Sequence, residues 1–157
     1  MSITTRQLDS TDLEILSLLY RDARLNNKDI AQQVNLAAST CLERIKRLQS
    51  DLVITGTQVS VDLTALGGRI QAMISVRLSD HNRATVDLFQ QDLLPQAEVI
   101  SLYHMGGDID FLLHVTVSDS GHLRDFVFNA ITARTEVSHV ETALVYDHQS
   151  SKTLPSF

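Results

Sequence analysis

The chain of 157 residues contains one cysteine, no His-x-x-x-His pair and no apolar run of membrane-spanning length. Each absence excludes a class of protein. A lone Cys41 rules out an internal disulfide and fits a reducing compartment, and its place on the apolar side of a helical pattern makes it a packing residue. The six histidines at 81, 104, 114, 122, 139 and 148 are scattered, whereas a zinc site needs three or four convergent ligands, so no metal is expected. There is no Walker phosphate loop, no Gly-x-Ser-x-Gly elbow and no dinucleotide fingerprint, so the chain is not expected to be an enzyme and no catalytic residue is assigned. The start lacks the basic-then-apolar layout of a signal peptide, and a cytoplasmic location is expected.

What is present is an ordinary globular composition, 43% hydrophobic and 20% charged, long enough for one or two small domains. The net charge of −6 is unevenly spread. Residues 1–60 carry seven Lys/Arg and seven Asp/Glu, so the remainder carries six against twelve and holds all the acidity. In the neutral part the cations gather at Arg44, Lys46 and Arg47.

Those cations lie in the stretch from Asn27 to Ser50, which reads as two short amphipathic helices joined by a tight turn. Ile30, Ala31 and Val34 share one helical face, as do Cys41, Leu42, Ile45 and Leu48. Ser39, Thr40, Glu43, Arg44, Lys46, Arg47 and Ser50 are left to point outward. A short helix with cations and small hydroxyls on its free face, propped by a preceding helix, has the form of a helix-turn-helix that enters the DNA major groove. Few phosphate contacts are available per subunit, so such a reader needs at least a dimer.

Upstream, Asp9-Ser10-Thr11-Asp12 is a helix-start cluster, and Leu13 to Tyr20 is apolar enough to predict a brace helix buried on most sides. Downstream, Thr57 to Val61 alternates as a strand would, and Gly67-Gly68 reads as a hinge. Beyond the hinge the period changes. Arg69 to Leu78 alternates over ten residues, Asn82 to Leu94 is a helix stopped by Pro95, and Glu98 to Met105 and Ile109 to Val117 are strands around a Gly106-Gly107-Asp108 turn. Asp119 caps a helix with the stripe Leu123, Phe126, Val127, Ala130 and Ile131, and Val137 to Tyr146 closes as a fourth strand. Strand, helix, strand, strand, helix, strand predicts a ferredoxin-like antiparallel sheet with both helices on one face.

The other face carries Met73 on the first strand, Asp110, Leu112, His114 and Thr116 on the third, and either Ile100 and Leu102 or Val99 and Tyr103 on the second. A mixed, partly apolar face uncovered by its own chain predicts a dimer surface, and the same alternation allows His104 and His114 to face each other.

The segments Leu8-Asp9-x-x-Asp12-x-x-Ile15-Leu16, Asp22-Ala-Arg-Leu25-x-Asn27, Ser39-Thr-Cys-Leu-Glu-Arg-Ile-Lys-Arg-Leu48, Val53-Ile-x-Gly56 and Gly107-Asp-Ile-Asp-Phe-Leu-Leu113 together resemble the Lrp/AsnC, or feast/famine, family of transcriptional regulators over nearly the whole chain. The resemblance implies an α+β architecture: a helix-turn-helix DNA-binding domain over 1–53, a β linker and hinge over 54–68, a ferredoxin-like βαββαβ effector (RAM) domain over 69–149, and a tail over 150–157. It implies a homodimer, assembled into an octamer, on double-stranded DNA in the cytoplasm and nucleoid, with no metal or cofactor beyond a small effector, an amino acid, held between neighbouring effector domains. By position, Ser39, Thr40, Arg44 and Arg47 are DNA-contact candidates with Lys46 on phosphate. Met105, Gly106, Gly107, Asp108 and Asp110 are effector candidates, with Thr142 a further one. Glycine there admits positive φ and a close ligand, and a carboxylate beside it suits an α-ammonium, although Gly-Gly-Asp is equally plain hairpin chemistry.

The chain departs from the family pattern at three places. Asn35-Leu36-Ala37 replaces Gly-Leu-Ser before the second helix of the pair, losing a serine cap but keeping a residue able to turn left-handed. Leu52 stands where glycine often ends that helix, and Thr135-Glu136 replaces a Pro-Gly before the last strand. Two other readings stay open: an effector-binding protein acting through protein partners, and an architectural DNA binder without a ligand.

Overall fold

The computed structural model describes residues 7–156. The chain forms two compact units, one running through Val59 and including the segment from Gln149, the other spanning Ser60–His148. Packing thus groups residues 54–59 and the C-terminal segment with the first unit.

In the first unit three helices surround a small core. α1 spans Ser10–Arg21, α2 Asn27–Gln33 and α3 Ala38–Ser50. Asp9 caps α1, its carboxylate accepting from the Asp12 N–H at 2.8 Å, and Asn26 caps α2 by accepting from the Asp29 N–H at 2.9 Å. Ile15, Ile30, Ala31, Val34, Cys41 and Leu48 form the buried cluster. α1 is less enclosed than its composition predicts: Leu13 and Tyr20 are about half exposed, because two short helices cover only one side of it.

The turn between α2 and α3 is built on Asn35, whose φ of 54° is left-handed. The Leu36 N–H donates to the Ala31 carbonyl at 2.9 Å, closing α2 in a Schellman pattern. Ala37 then offers no side-chain cap to α3. α3 ends the same way, with Leu52 at φ 57° and the Val53 N–H donating to the Leu48 carbonyl at 2.9 Å. The two positions that depart from the family pattern at helix ends are thus the two non-glycine residues with positive φ among the described residues.

The second unit is a four-stranded antiparallel sheet, β1 (Ile70–Leu78), β2 (Val99–His104), β3 (Phe111–Val117) and β4 (Val137–Val145), in the order β2-β3-β1-β4. Helices α4 (Arg83–Leu93) and α5 (Ser120–Phe126) cover one face, where Ala72, Ile74, Val76, Phe111, Leu113 and Val115 pack on Phe89, Leu93, Phe126 and Ile131. The Phe89 and Phe111 rings stack at 4.6 Å. This is the ferredoxin-like arrangement predicted from the alternation.

Three details differ from the sequence reading. Thr57 to Val61 forms no strand, since none of the four paired strands offers it a ladder, and a short 3-10 turn at Leu63–Leu66 precedes β1 instead. α5 passes into a π-helical turn at Val127–Thr132, so the inward residues Phe126 and Ile131 lie five apart rather than three or four. On β2 the register shifts between Val99 and Ser101, which drops Ile100 out of the ladder and puts Ser101 and Tyr103 on the face away from the helices.

Candidate DNA-reading helix and effector loop

On α3, Ser39, Thr40, Glu43, Lys46 and Arg47 are exposed, and so is Leu42, expected on the packed side but 41% accessible. Arg44 differs from its neighbours. It lies three residues after buried Cys41 and four before buried Leu48, so helical geometry turns it toward α1. Its Nη1 stands 2.7 Å from Asp9 Oδ2 and 2.7 Å from Asp12 Oδ1, and Asp12 is completely buried. Arg47 Nη2 lies 3.5 Å from the same Asp12 oxygen while remaining 43% exposed. The hydrogen bonds to Asp9 and then Asp12 hold the Arg44 proton more tightly than usual. Arg44 therefore pins α3 to the start of α1, and Lys46 and Arg47 carry the accessible positive charge of the helix. From the sequence Arg44 is expected on the outward side of the helix; its place between Cys41 and Leu48 turns it instead to Asp9 and Asp12.

α2 is joined to α3 by a second contact, the Asn27 side-chain amide donating to the Ala38 carbonyl at 2.7 Å. Cys41 is fully buried and burial pushes its thiol pKa up, in keeping with a packing role.

In the effector unit, the Met105 N–H donates to the Asp110 carbonyl at 2.8 Å and closes the loop between β2 and β3. Gly107 holds φ at 125°, open only to glycine. Asp110 is turned inward: Oδ2 accepts from the Leu78 N–H at 2.7 Å and Oδ1 lies 2.7 Å from His81 Nδ1. Arg77 Nε donates to the Asp108 carbonyl at 2.6 Å. The loop is thus locked to the end of β1, while Met105, Gly106, Gly107 and Asp108 stay exposed. Thr142 sits elsewhere. It pairs with Ile74 on the far side of β1 and lines a separate groove of about 320 Å³ with Val127, Thr132 and Val140.

The face of the sheet away from the helices carries Met73, Leu112, Tyr103 and His114. His104 does not meet His114; it stacks on Phe111 at 5.1 Å, because the β2 register shift sets Ser101 opposite His114. His114 instead contacts His148 at 5.4 Å between rings and Gln71 at 2.9 Å, a partnership that no strand alternation indicates because His148 lies beyond β4. Among the described residues no group of three or more metal-ligating side chains converges, and no helix is long and apolar enough to cross a membrane.

Residues 8–49 match the AsnC-type helix-turn-helix domain, and residues 71–154 match the Lrp/AsnC ligand binding domain. The chain belongs to the Lrp/AsnC family. It is 37% identical over 146 residues to the transcriptional regulator AldR of Mycolicibacterium smegmatis, covering 93% of this chain and 85% of that protein. It is 30% identical over 149 residues to the Bkd operon transcriptional regulator of Pseudomonas aeruginosa, covering 95% and 97%. Among solved structures it resembles a Neisseria meningitidis transcriptional regulator in complex with L-Met, with a TM-score of 0.86 at 26% identity over 95% of this chain and 97% of that one. This Lrp/AsnC chain is a DNA-binding transcriptional regulator with a ligand-binding domain, and its relatives are regulators rather than enzymes.

Proposed function

We propose that this regulator reads a pseudo-palindromic operator through α3 of paired subunits, and that an amino acid bound at the effector domain changes its assembly or its hold on DNA. In this reading Ser39 and Thr40 face base edges at the N-terminal end of α3, while Arg47 and Lys46 contact bases or phosphates. Arg44 serves them by fixing the helix rather than by touching DNA. The sheet face bearing Met73, Tyr103, Leu112 and His114 pairs two subunits, dimers build a larger ring such as an octamer, and the protein works on DNA in the cytoplasm.

The effector meets the exposed Met105–Asp108 stretch. Asp108 is the better partner for an α-ammonium, since both oxygens of Asp110 already bind within the domain. Thr142, on the other side of β1, takes part only if a neighbouring subunit brings it there. The observation that carries the reading is that exposed Lys46 and Arg47 on the free side of α3 stand in one chain with a matched ligand-binding domain; a similar structure that holds L-Met supports it.

The test is binding to the protein's own upstream region and to a scrambled duplex across a salt series, with and without the standard amino acids. Preference for the native duplex that shifts with one amino acid supports the whole reading, and reciprocity then requires DNA to alter that amino acid's affinity by the same factor. Preference without any shift leaves an architectural or ligand-independent regulator. Equal, steeply salt-dependent binding to both duplexes reflects phosphate attraction alone and counts against operator reading.

A further inference from the structure

The reader unit has an apolar groove of about 460 Å³, lined by Leu16, Leu19 and Tyr20 of α1, Ile45 of α3, Ile54 and, from the far end of the chain, Leu154. All of these residues belong to one compact unit. Apolar side chains lining an open groove are left in water, so an occupant is favoured.

The position of Leu154 points to the occupant, and the grouping of the segment from Gln149 with this unit agrees with it. From Asp147 to Ser156 every described residue is exposed except Leu154, which is the only large apolar side chain in that run and the one that lines the groove. Two residues earlier is Lys152, whose charge is the smallest of the influences holding the Asp22 carboxyl low, behind the hydrogen bonds and charge of Arg24. Asp22 closes the C-terminus of α1, where the helix dipole is negative and a further anion is unfavourable without a cation at hand. The Thr153 N–H donates to Ser151 Oγ at 3.1 Å, a local turn just before Leu154.

We propose that this groove is the seat of the chain's own C-terminal segment, a strap in which Leu154 is the apolar anchor. The segment continues directly from β4 through His148, which rests on His114. The reader domain is therefore completed by residues that follow the effector domain in the chain, and α1 and α3 are held in register partly by the tail.

Hydrogen exchange on the full-length protein tests this. A chain ending at His148 is expected to lose protection several-fold in Leu16–Tyr20 and Ile45–Gln49, with β1 and β3 unchanged; Leu154→Asp should do the same in the full chain, and Leu154→Met should not. A synthetic peptide of residues 149–157 added in excess should restore protection to the truncated protein. Unchanged protection in Leu154→Asp would overturn the proposal even if the truncated chain fails to fold. To identify whose tail fills the groove, Gln49→Cys and Leu154→Cys are combined with Cys41→Ala and treated with a short bis-maleimide. A cross-link within one chain is expected, and a product of twice the mass would assign the groove to the tail of a second copy instead.

Discussion

Arg44 Nη1 lies 2.7 Å from Asp12 Oδ1, and the Asp12 side chain has no exposed surface. A carboxylate removed from water is costly unless it is paired and hydrogen-bonded, and this guanidinium is one of the partners that Asp12 has. Because Asp12 belongs to α1 and Arg44 to α3, the pair fixes the angle at which the reading helix leaves its brace.

Arg44→Ala is expected to destabilise the reader unit by about 1–3 kcal/mol, the cost of removing one hydrogen-bonding partner from a buried carboxylate that Arg47 still approaches. Lys46→Ala should leave thermal unfolding unchanged while weakening DNA binding and lowering the slope of log affinity against log salt by about one. Unfolding curves and salt titrations on both variants separate the roles. An Arg44→Ala protein of normal stability that has lost only DNA affinity would make Arg44 a contact residue.

The ends of α3 are suboptimal in a way that can be improved. Leu52 adopts φ 57° while 69% exposed, so it pays the left-handed penalty without a compensating burial. Leu52→Gly should raise stability by about 1 kcal/mol, and Ala37→Ser, by restoring a side-chain cap, should add about 1 kcal/mol. Urea midpoints measure both, and the gains should add because the sites lie at opposite ends of the helix.

Much of the fold was legible because its periods are clean. Ile70 to Leu78 alternates without interruption, and the observed β1 buries Ala72, Ile74, Val76 and Leu78 as alternation requires. Where one residue is inserted, period reasoning fails: the shift at Ile100 decides which side of β2 faces the helices, and the π turn after Phe126 displaces the α5 stripe. Thr57 to Val61 has strand alternation but pairs with no strand among the described residues, which local sequence cannot reveal. In the candidate site, the outward placement of Ser39, Thr40, Lys46 and Arg47 followed from helical spacing, whereas the inward bonding of Asp110 depends on His81 and the Leu78 N–H, partners about thirty residues away.

That bonding separates two aspartates two residues apart. Asp110→Ala should lower the stability of the effector unit by about 1–3 kcal/mol, since the Leu78 N–H loses its acceptor and the loop its anchor. Asp108→Ala should leave the unfolding midpoint in place and remove the response of DNA binding to amino acids. Denaturation and effector titration on the two variants check this together; a normal response in Asp108→Ala would take that carboxylate out of the effector site.

His114 should make the effector unit sensitive to mild acid. It is 8% exposed, with Gln71 at 2.9 Å and the His148 ring at 5.4 Å; burial, and after it the nearness of His148, lower its pKa from the ordinary value of 6.5. As pH falls through that value the unfolded chain takes up a proton before the folded one does, so stability is complete above about 6.5 and declines below it until the folded form is protonated as well. His114→Gln removes that contribution. Urea midpoints from pH 7.5 down to 5.5 should fall more steeply for the native chain than for the variant, the two profiles diverging only below about 6.5. Parallel profiles would mean that His114 takes up its proton equally readily in both states.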